Sequence, residues 1–195
     1  MLVIFAHPSF EKSRVNRQLV AQASGLEGVR LHDLYDEYPD FDVDVEREQA
    51  LLAGHEVVVV HHPFHWYGTP ALVKQWLDLV LEHGWAYGAR GRALVGKWWG
   101  HALTAGGGAE AYRPGGFNRH TVRSMLAPFE QTAHLCGMRF LPPFVVYGTH
   151  GLEAAAIDEH ARRYRAYLER LRDPGFDLAP IAHLDTFDAA APGGA

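Results

Sequence analysis

A chain of 195 residues, 48% apolar and 21% charged, has the size and composition of one folded domain rather than of a disordered segment. A formal charge of −5 excludes a nucleic-acid binder working through bulk positive charge, and the single cysteine, Cys136, excludes an internal disulfide or a multi-cysteine zinc site. The apolar start Met1–Ala6 lacks a basic flank and a cleavage site, and no apolar run approaches the ~20 residues of a membrane span, so a cytoplasmic domain is expected.

Leu2–Ala6 reads as a buried strand that opens into His7-Pro8. Ser13 can cap a helix with Val15, Leu19 and Ala23 on its apolar face, stopped by Gly25 and Gly28. Val29–Leu34 is the second strand, and the aromatic and acidic stretch Tyr35–Asp42 reads as an ordered loop. Asp44 caps a short helix through Leu52, and Glu56–His62, with four consecutive valines, is the clearest buried strand. Thr69 as N-cap, Pro70 at the first helical position and Gly84 after the last turn frame the next helix. Its inward face is Leu72, Val73, Trp76, Leu77, Val80 and Leu81. Lys97–Thr104 is the fourth strand and runs into Gly106-Gly107-Gly108. One helix is expected over Arg119–Leu135, then a fifth strand over Met138–Tyr147, interrupted by Pro142-Pro143 and therefore at an edge. Glu153–Leu171 is the last helix. The composition then turns to Ala, Gly, Pro and Asp, which divides the chain into a domain of residues 1–172 and a tail of 173–195, flexible or lying on a partner.

Five strands alternating with five helices specify a parallel sheet covered on both faces. Ligands of such sheets bind beyond the carboxyl ends of the strands, at the switch point of the strand order. Three strand-to-helix loops stand out. The first, Ala6 to Asn16, puts hydroxyl, amide and backbone donors at a helix N-terminus, a natural anion site with Ser13 and Asn16 as holders and His7 beside them. Ser13 as a plain helix cap is the competing reading. The second, Pro63 to Gly68, carries Trp66 and Tyr67, which suit a flat aromatic ligand if exposed and core packing if not. The third, Thr104 to Tyr112, holds the triple glycine, where backbone N–H groups can approach a ligand edge closely. Strand order 2-1-3-4-5 brings all three loops together; the Rossmann order does not. A phosphate site, an aromatic wall and a backbone-rich edge together describe a pocket for flavin mononucleotide.

Two apparent motifs are rejected. Gly91–Lys97 has P-loop spacing, but Trp98 stands where Ser or Thr should bind magnesium, and a strand follows. His61 and His62 point to opposite faces of a strand and cannot easily share a metal with His65, so no metal is expected.

The chain resembles the flavodoxin-like NAD(P)H:quinone oxidoreductases. The resemblance is carried by Ala6-His7-Pro8, Tyr38-Pro39-Asp40-Phe41, His62-Pro63-Phe64-His65-Trp66-Tyr67, His83-Gly84-Trp85-Ala86-Tyr87-Gly88, Gly106-Gly107-Gly108 and Thr132-Ala133…Cys136-Gly137. It extends over about Met1 to Arg172 and is nearest to small bacterial members, including ancillary flavoproteins of glutathione-gated potassium-efflux systems. It implies a flavodoxin-like three-layer sandwich with a five-stranded parallel sheet in order 2-1-3-4-5. It implies FMN, with FAD as the alternative flavin, held by His7, by Ser13, Arg14, Val15 and Asn16, by Phe64, His65, Trp66 and Tyr67, and by Thr104, Ala105, Gly106 and Gly107. It further implies a homodimer, and two-electron transfer of hydride from NAD(P)H to a quinone at one shared place. Tyr112 falls on the position of a tyrosine that assists this transfer; the accompanying histidine position falls near Asn118, with His120 as the nearby substitute. The alternative function is a regulatory flavoprotein subunit binding the cytoplasmic domain of a potassium-efflux antiporter, peripheral at the inner face of the membrane. The aromatic stretch Trp85, Tyr87, Trp98 and Trp99 exceeds the need of one small core and is expected to anchor the dimer.

Overall fold

The structure, a computed structural model, describes residues 1–187. Its strands are β1 (Leu2–Phe5), β2 (Arg30–Asp33), β3 (Val57–Pro63), β4 (Trp98–Thr104), β5 (Arg139–Phe140) and β6 (Phe144–Val146). Its helices are α1 (Arg14–Ala23), α2 (Leu34–Glu37), α3 (Val45–Ala53), α4 (Ala71–Val80), α5 (Val122–Met125), α6 (Ala127–Leu135) and α7 (Ala154–Arg172). The sheet is parallel, in the order β2-β1-β3-β4-β5, with β6 also paired to β4. The expected order is found, but with six strands rather than five. Pro142 and Pro143 fall in the gap between β5 and β6, where a residue without an N–H cannot extend the ladder.

Alternation along the central strands builds two cores. Val3, Val57 and Val59 face α1 and α7, together with Val15, Leu19, Phe144, Tyr164 and Leu168. Leu2, Ile4, Val58 and Val60 face the other side, with Leu72, Trp76, Leu103, Leu126 and Ala133. Each fully buried Leu or Val contributes about 1.5–3 kcal/mol relative to exposure. The same alternation sends His61 to the α1/α7 side and its neighbour His62 to the α4/α6 side.

Four local differences from the sequence expectation have identifiable causes. The stretch after β2 contains the short helix α2, because the Asp33 side chain accepts the Tyr35 N–H as an N-cap. α4 starts at Ala71: Pro70 remains extended at ψ 153 and is itself the cap, so Thr69 is not. The single helix expected from Arg119 starts at Val122, capped by Thr121, and breaks at Leu126 into α5 and α6. Pro128 lies two residues beyond the break and cannot donate to the carbonyl of Ser124. The aromatic stretch divides: Trp99 alone is fully buried, while Trp85, Tyr87 and Trp98 are half-buried. Trp99 is buried and stacked on Trp76 at 6.3 Å, and the Arg139 guanidinium covers the Trp98 ring. Trp85 and Tyr87 pack on the core.

After Asp173 the chain lies on its own body as far as Phe187. Leu178 and Phe187 are buried, the Phe187 ring meets Tyr167 at 4.7 Å, and the Phe187 N–H donates to the Pro143 carbonyl. Arg123 donates to the carbonyls of Ala182 and Leu184. The remainder of the expected tail, 188–195, lies outside the described residues.

Candidate functional site

Register fixes the site. Phe5 pairs with His61, and Pro63 with Thr104, so β1, β3 and β4 end side by side and release their loops on one edge. A cleft of about 510 Å³ opens there. The first loop supplies His7 to Ser9 and Lys12 to Asn16, the second Pro63, Phe64 and His65, and the third Thr104 and Gly106. A fourth loop, between β6 and α7, closes the cleft with Thr149 and His150. A Cβ on Gly106 would lie 2.7 Å from the His150 ring, so this side chain can approach only glycine so closely.

The floor is a donor site. Ser13 Oγ accepts from the Asn16 N–H (3.1 Å) and from Asn16 Nδ2 (2.9 Å); Thr104 Oγ1 accepts from Nδ2 as well (3.0 Å). Ser13 is therefore the α1 cap, and it also lines the cleft. Both hydroxyls retain a hydrogen to donate. With the α1 N-terminus, Lys12 and Arg14 around them, the donor set has the chemistry of a site for a phosphate. His7 Nδ1 accepts the Ser9 N–H, and burial pushes its pKa down, further lowered by His65. Val15 lines the same wall from a buried position.

Not every expected residue reaches the cleft. Ala105 is buried; its N–H joins Val146 and its carbonyl accepts from Thr149, tying the third loop to the fourth. Gly107 likewise binds Gly148 through its carbonyl. Trp66 is 95% exposed and Tyr67 49%, so these aromatics are not core. They form the middle of a turn closed by Gly68 N–H on the His65 carbonyl, with φ of 47° and 64°. Two consecutive left-handed residues that are not glycine cost about 1–2 kcal/mol each. Phe64 and Asn118 hold the turn: the Tyr67 ring meets Phe64 at 6.3 Å, and Tyr67 Oη donates to Asn118 Oδ1 at 3.2 Å.

Tyr112 follows the short 3-10 turn Ala109–Ala111 and packs between Phe64 (6.1 Å) and Tyr147 (5.6 Å). Burial pushes its hydroxyl pKa up, with the neighbouring Asn118 pulling the other way. Asn118 thus stands beside both Tyr67 and Tyr112. Neither Tyr112 nor His120 lines the cleft; Tyr112 packs against its wall residue Phe64, whereas His120 is exposed. Among the described residues no group of three or more His, Cys, Asp or Glu side chains is placed to hold a metal. Lys97, in the rejected P-loop, spends its ammonium on the Ala53 and His55 carbonyls.

Lys12, Thr149 and His150 were not among the residues the sequence singled out. The signal for the last two was Gly148-Thr149-His150-Gly151 directly after the edge strand next to β4, where a fourth converging loop belongs.

A family model described as flavodoxin-like fold matches residues 1–168. The chain belongs to this family. It is 44% identical over 174 residues to the glutathione-regulated potassium-efflux system ancillary protein KefG of Serratia proteamaculans, covering 89% of this chain and 93% of that protein. Among solved structures, it resembles general stress protein 14 of Treponema denticola in complex with FMN. That match has a TM-score of 0.82 at 37% identity, over 87% of this chain and 98% of that one. It also resembles an NADPH-quinone reductase of P. pentosaceus, with a TM-score of 0.77 at 31% identity, over 85% and 95% of the two chains. No helix among the described residues is long and apolar enough to cross a membrane.

Proposed function

We propose that the chain is an FMN-dependent oxidoreductase that passes hydride from NAD(P)H to a quinone, working as a homodimer. The observation that carries this reading is the donor-floored cleft at the ends of β1, β3 and β4. Ser13, Asn16 and Thr104, with Lys12 and Arg14, would hold the phosphate of a flavin. His7, Phe64 and His65 would flank it on one side, Gly106, Thr149 and His150 on the other. A bound flavin supplies two-electron hydride chemistry. The chain orients it and keeps a donor at its edge: Tyr112 is a phenol, protonated at neutral pH, and burial pushes its pKa further up. Trp66 and Tyr67 stand exposed on the second loop, where a nicotinamide and then a quinone would stack in turn. Tyr112 is kept as the catalytic donor; His120 is not, because it is exposed and Asn118 holds the place beside Tyr112. FMN uptake with NAD(P)H-dependent quinone reduction tests the reading. Purified protein that is colourless and takes up neither FMN nor FAD ends it.

A second role is favoured by the likeness to KefG. We propose that the chain also docks on the cytoplasmic domain of a potassium-efflux antiporter and so works at the inner face of the membrane. Co-purification with that domain, and its loss of efflux control without the chain, tests this. Dimerisation is checked by sedimentation; a monomer at micromolar concentration refutes it.

A further inference from the structure

Asn16 joins the cleft to a buried chain of hydrogen bonds that the reading above leaves unused. Tyr164 on α7 is fully buried, and its hydroxyl lies 3.0 Å from His61 Nδ1. His61 Nε2 lies 3.0 Å from Asn16 Oδ1, and Asn16 Nδ2 reaches Ser13 Oγ and Thr104 Oγ1. Such a chain has two self-consistent directions, since a hydroxyl, a neutral imidazole and an amide can each exchange donor and acceptor. In one, Tyr164 donates to His61, His61 to Asn16, and Asn16 to both hydroxyls. In the other, every bond reverses.

One group decides between them. In the reversed chain Tyr164 accepts, and its own hydrogen is left without an acceptor inside the core. Tyr167, the neighbouring phenol, offers none, since its hydroxyl has no partner among the described residues. A buried O–H left unpaired is costly, so the forward direction holds. The consequence at the cleft is chemical. In the forward chain the lone pairs of Ser13 and Thr104 are taken by Asn16, and their hydrogens are left for a ligand. The reversed chain would turn lone pairs toward it and repel an anion.

We propose that Tyr164 and His61 are positioning residues for the anionic group of the ligand. They fix the direction of the chain so that it ends in donors at the cleft, and thereby select a phosphate-bearing flavin over a neutral one. The inference rests on the flavin reading of the cleft.

FMN and riboflavin differ by the phosphate alone, so their affinities separate positioning from general support. The double variant His61→Leu/Tyr164→Phe replaces the buried polar pair by apolar groups of similar shape, leaving neither partner orphaned by the other. It frees the Asn16 amide to turn. FMN affinity is expected to fall about tenfold, while riboflavin affinity stays within about twofold. Protection of the flavin-free protein against heat by inorganic phosphate should fall in parallel. Equal loss of both flavins means structural support only and overturns the inference. A double variant that keeps the full preference for FMN overturns it while leaving the flavin reading intact. Wild-type protein that takes up neither flavin overturns the flavin reading and this inference with it. Independently of any variant, nitrogen-15 spectra of wild-type His61 should place its proton on Nε2; a proton on Nδ1 overturns the proposed direction.

Discussion

His61 and His62 are sequence neighbours on β3, both fully buried and both held neutral by desolvation, with pKa values pushed down to about 3 and about 4. Their hydrogen bonds lead to different places. His61 belongs to the chain that surfaces at Ser13 and Thr104 in the cleft. His62 receives from His101 at 3.0 Å, which in turn accepts the Trp99 N–H at 3.1 Å, and His62 Nδ1 donates to the Pro63 carbonyl. Trp99 can only donate, so that chain too has one direction, and it ends on a buried backbone carbonyl that also accepts the His65 N–H rather than on donors offered to the cleft. Residue type, burial and charge state are the same on the two faces. What separates a group that can act on a ligand from one that specifies packing is where its chain of partners ends.

The largest effect tests the premise both regions share. A histidine neutral in the fold and free to protonate when unfolded favours the unfolded state as pH falls below about 6.5. The folded pKa values of about 3 and about 4 lie well below that, so stability is complete above pH 6.5 and is lost progressively toward pH 4. At pH 5 the two should each remove about 2 kcal/mol. Glu48 is depressed in pKa, held by His32, Tyr38 and Trp76, and loses its contribution only in the lower carboxylate range. Urea unfolding at pH 7 and pH 5 measures the difference. An unchanged midpoint would mean that the histidines are not held neutral.

The next two experiments pull the regions apart. Replacing both Ser13 and Asn16 by Ala removes the cleft end of the first chain. At least one charge-assisted hydrogen bond to phosphate is lost, about 1.5–3 kcal/mol, or roughly 10- to 100-fold in FMN affinity. Equilibrium titration of the flavin-free protein reads this, and retained affinity would detach the donors from the phosphate. His101→Leu breaks the second chain instead and leaves the Trp99 N–H buried without a partner. The expected cost is about 1–3 kcal/mol of unfolding free energy, with FMN affinity unchanged. If flavin binding fell as much as stability, the separation of the two faces would be lost.

The contrast also marks what could be read from the sequence. The alternation of strands and helices followed from run lengths, periodicity and caps, all local signals; the strand order did not, and rested on the grouping of three unusual loops and on the family resemblance. Ser13 and Asn16 could be named because they sit at a helix start with donor chemistry, whereas Thr104 came from the family resemblance. The positions of Trp98 and Trp99 could not, because the partner of each, Arg139 and Trp76, is supplied by a distant element. The break before α6 was legible in Pro128 and went unread within a continuous apolar period. The Tyr164–His61–Asn16 chain joins residues 103 and 45 positions apart, with no spacing rule to connect them.

The smallest expected effect concerns the third polar chain, Tyr67–Asn118–Tyr112, which lies near the surface rather than in the core. If the rule drawn from the two histidines holds, this chain acts on what binds beside Phe64 and leaves the phosphate end alone. Tyr112→Phe keeps the ring contacts to Phe64 and Tyr147 and removes only the hydroxyl. A donor aimed at charge that develops during reaction stabilises the transition state more than the bound ground state. Such donors are worth about 2.7–4 kcal/mol at the strong end. Less is expected here, because Tyr112 shares Asn118 with Tyr67 and is only partly buried. The rate of flavin reduction by NAD(P)H should fall by up to about tenfold while FMN affinity stays unchanged. Rapid mixing separates the two halves of turnover. If reduction by NAD(P)H is unaltered and only the quinone step slows, Tyr112 shapes the substrate mouth and the donor role is wrong. If FMN affinity drops instead, the surface chain reaches the flavin-binding floor, and the division between chains that bind and chains that react fails at its weakest point.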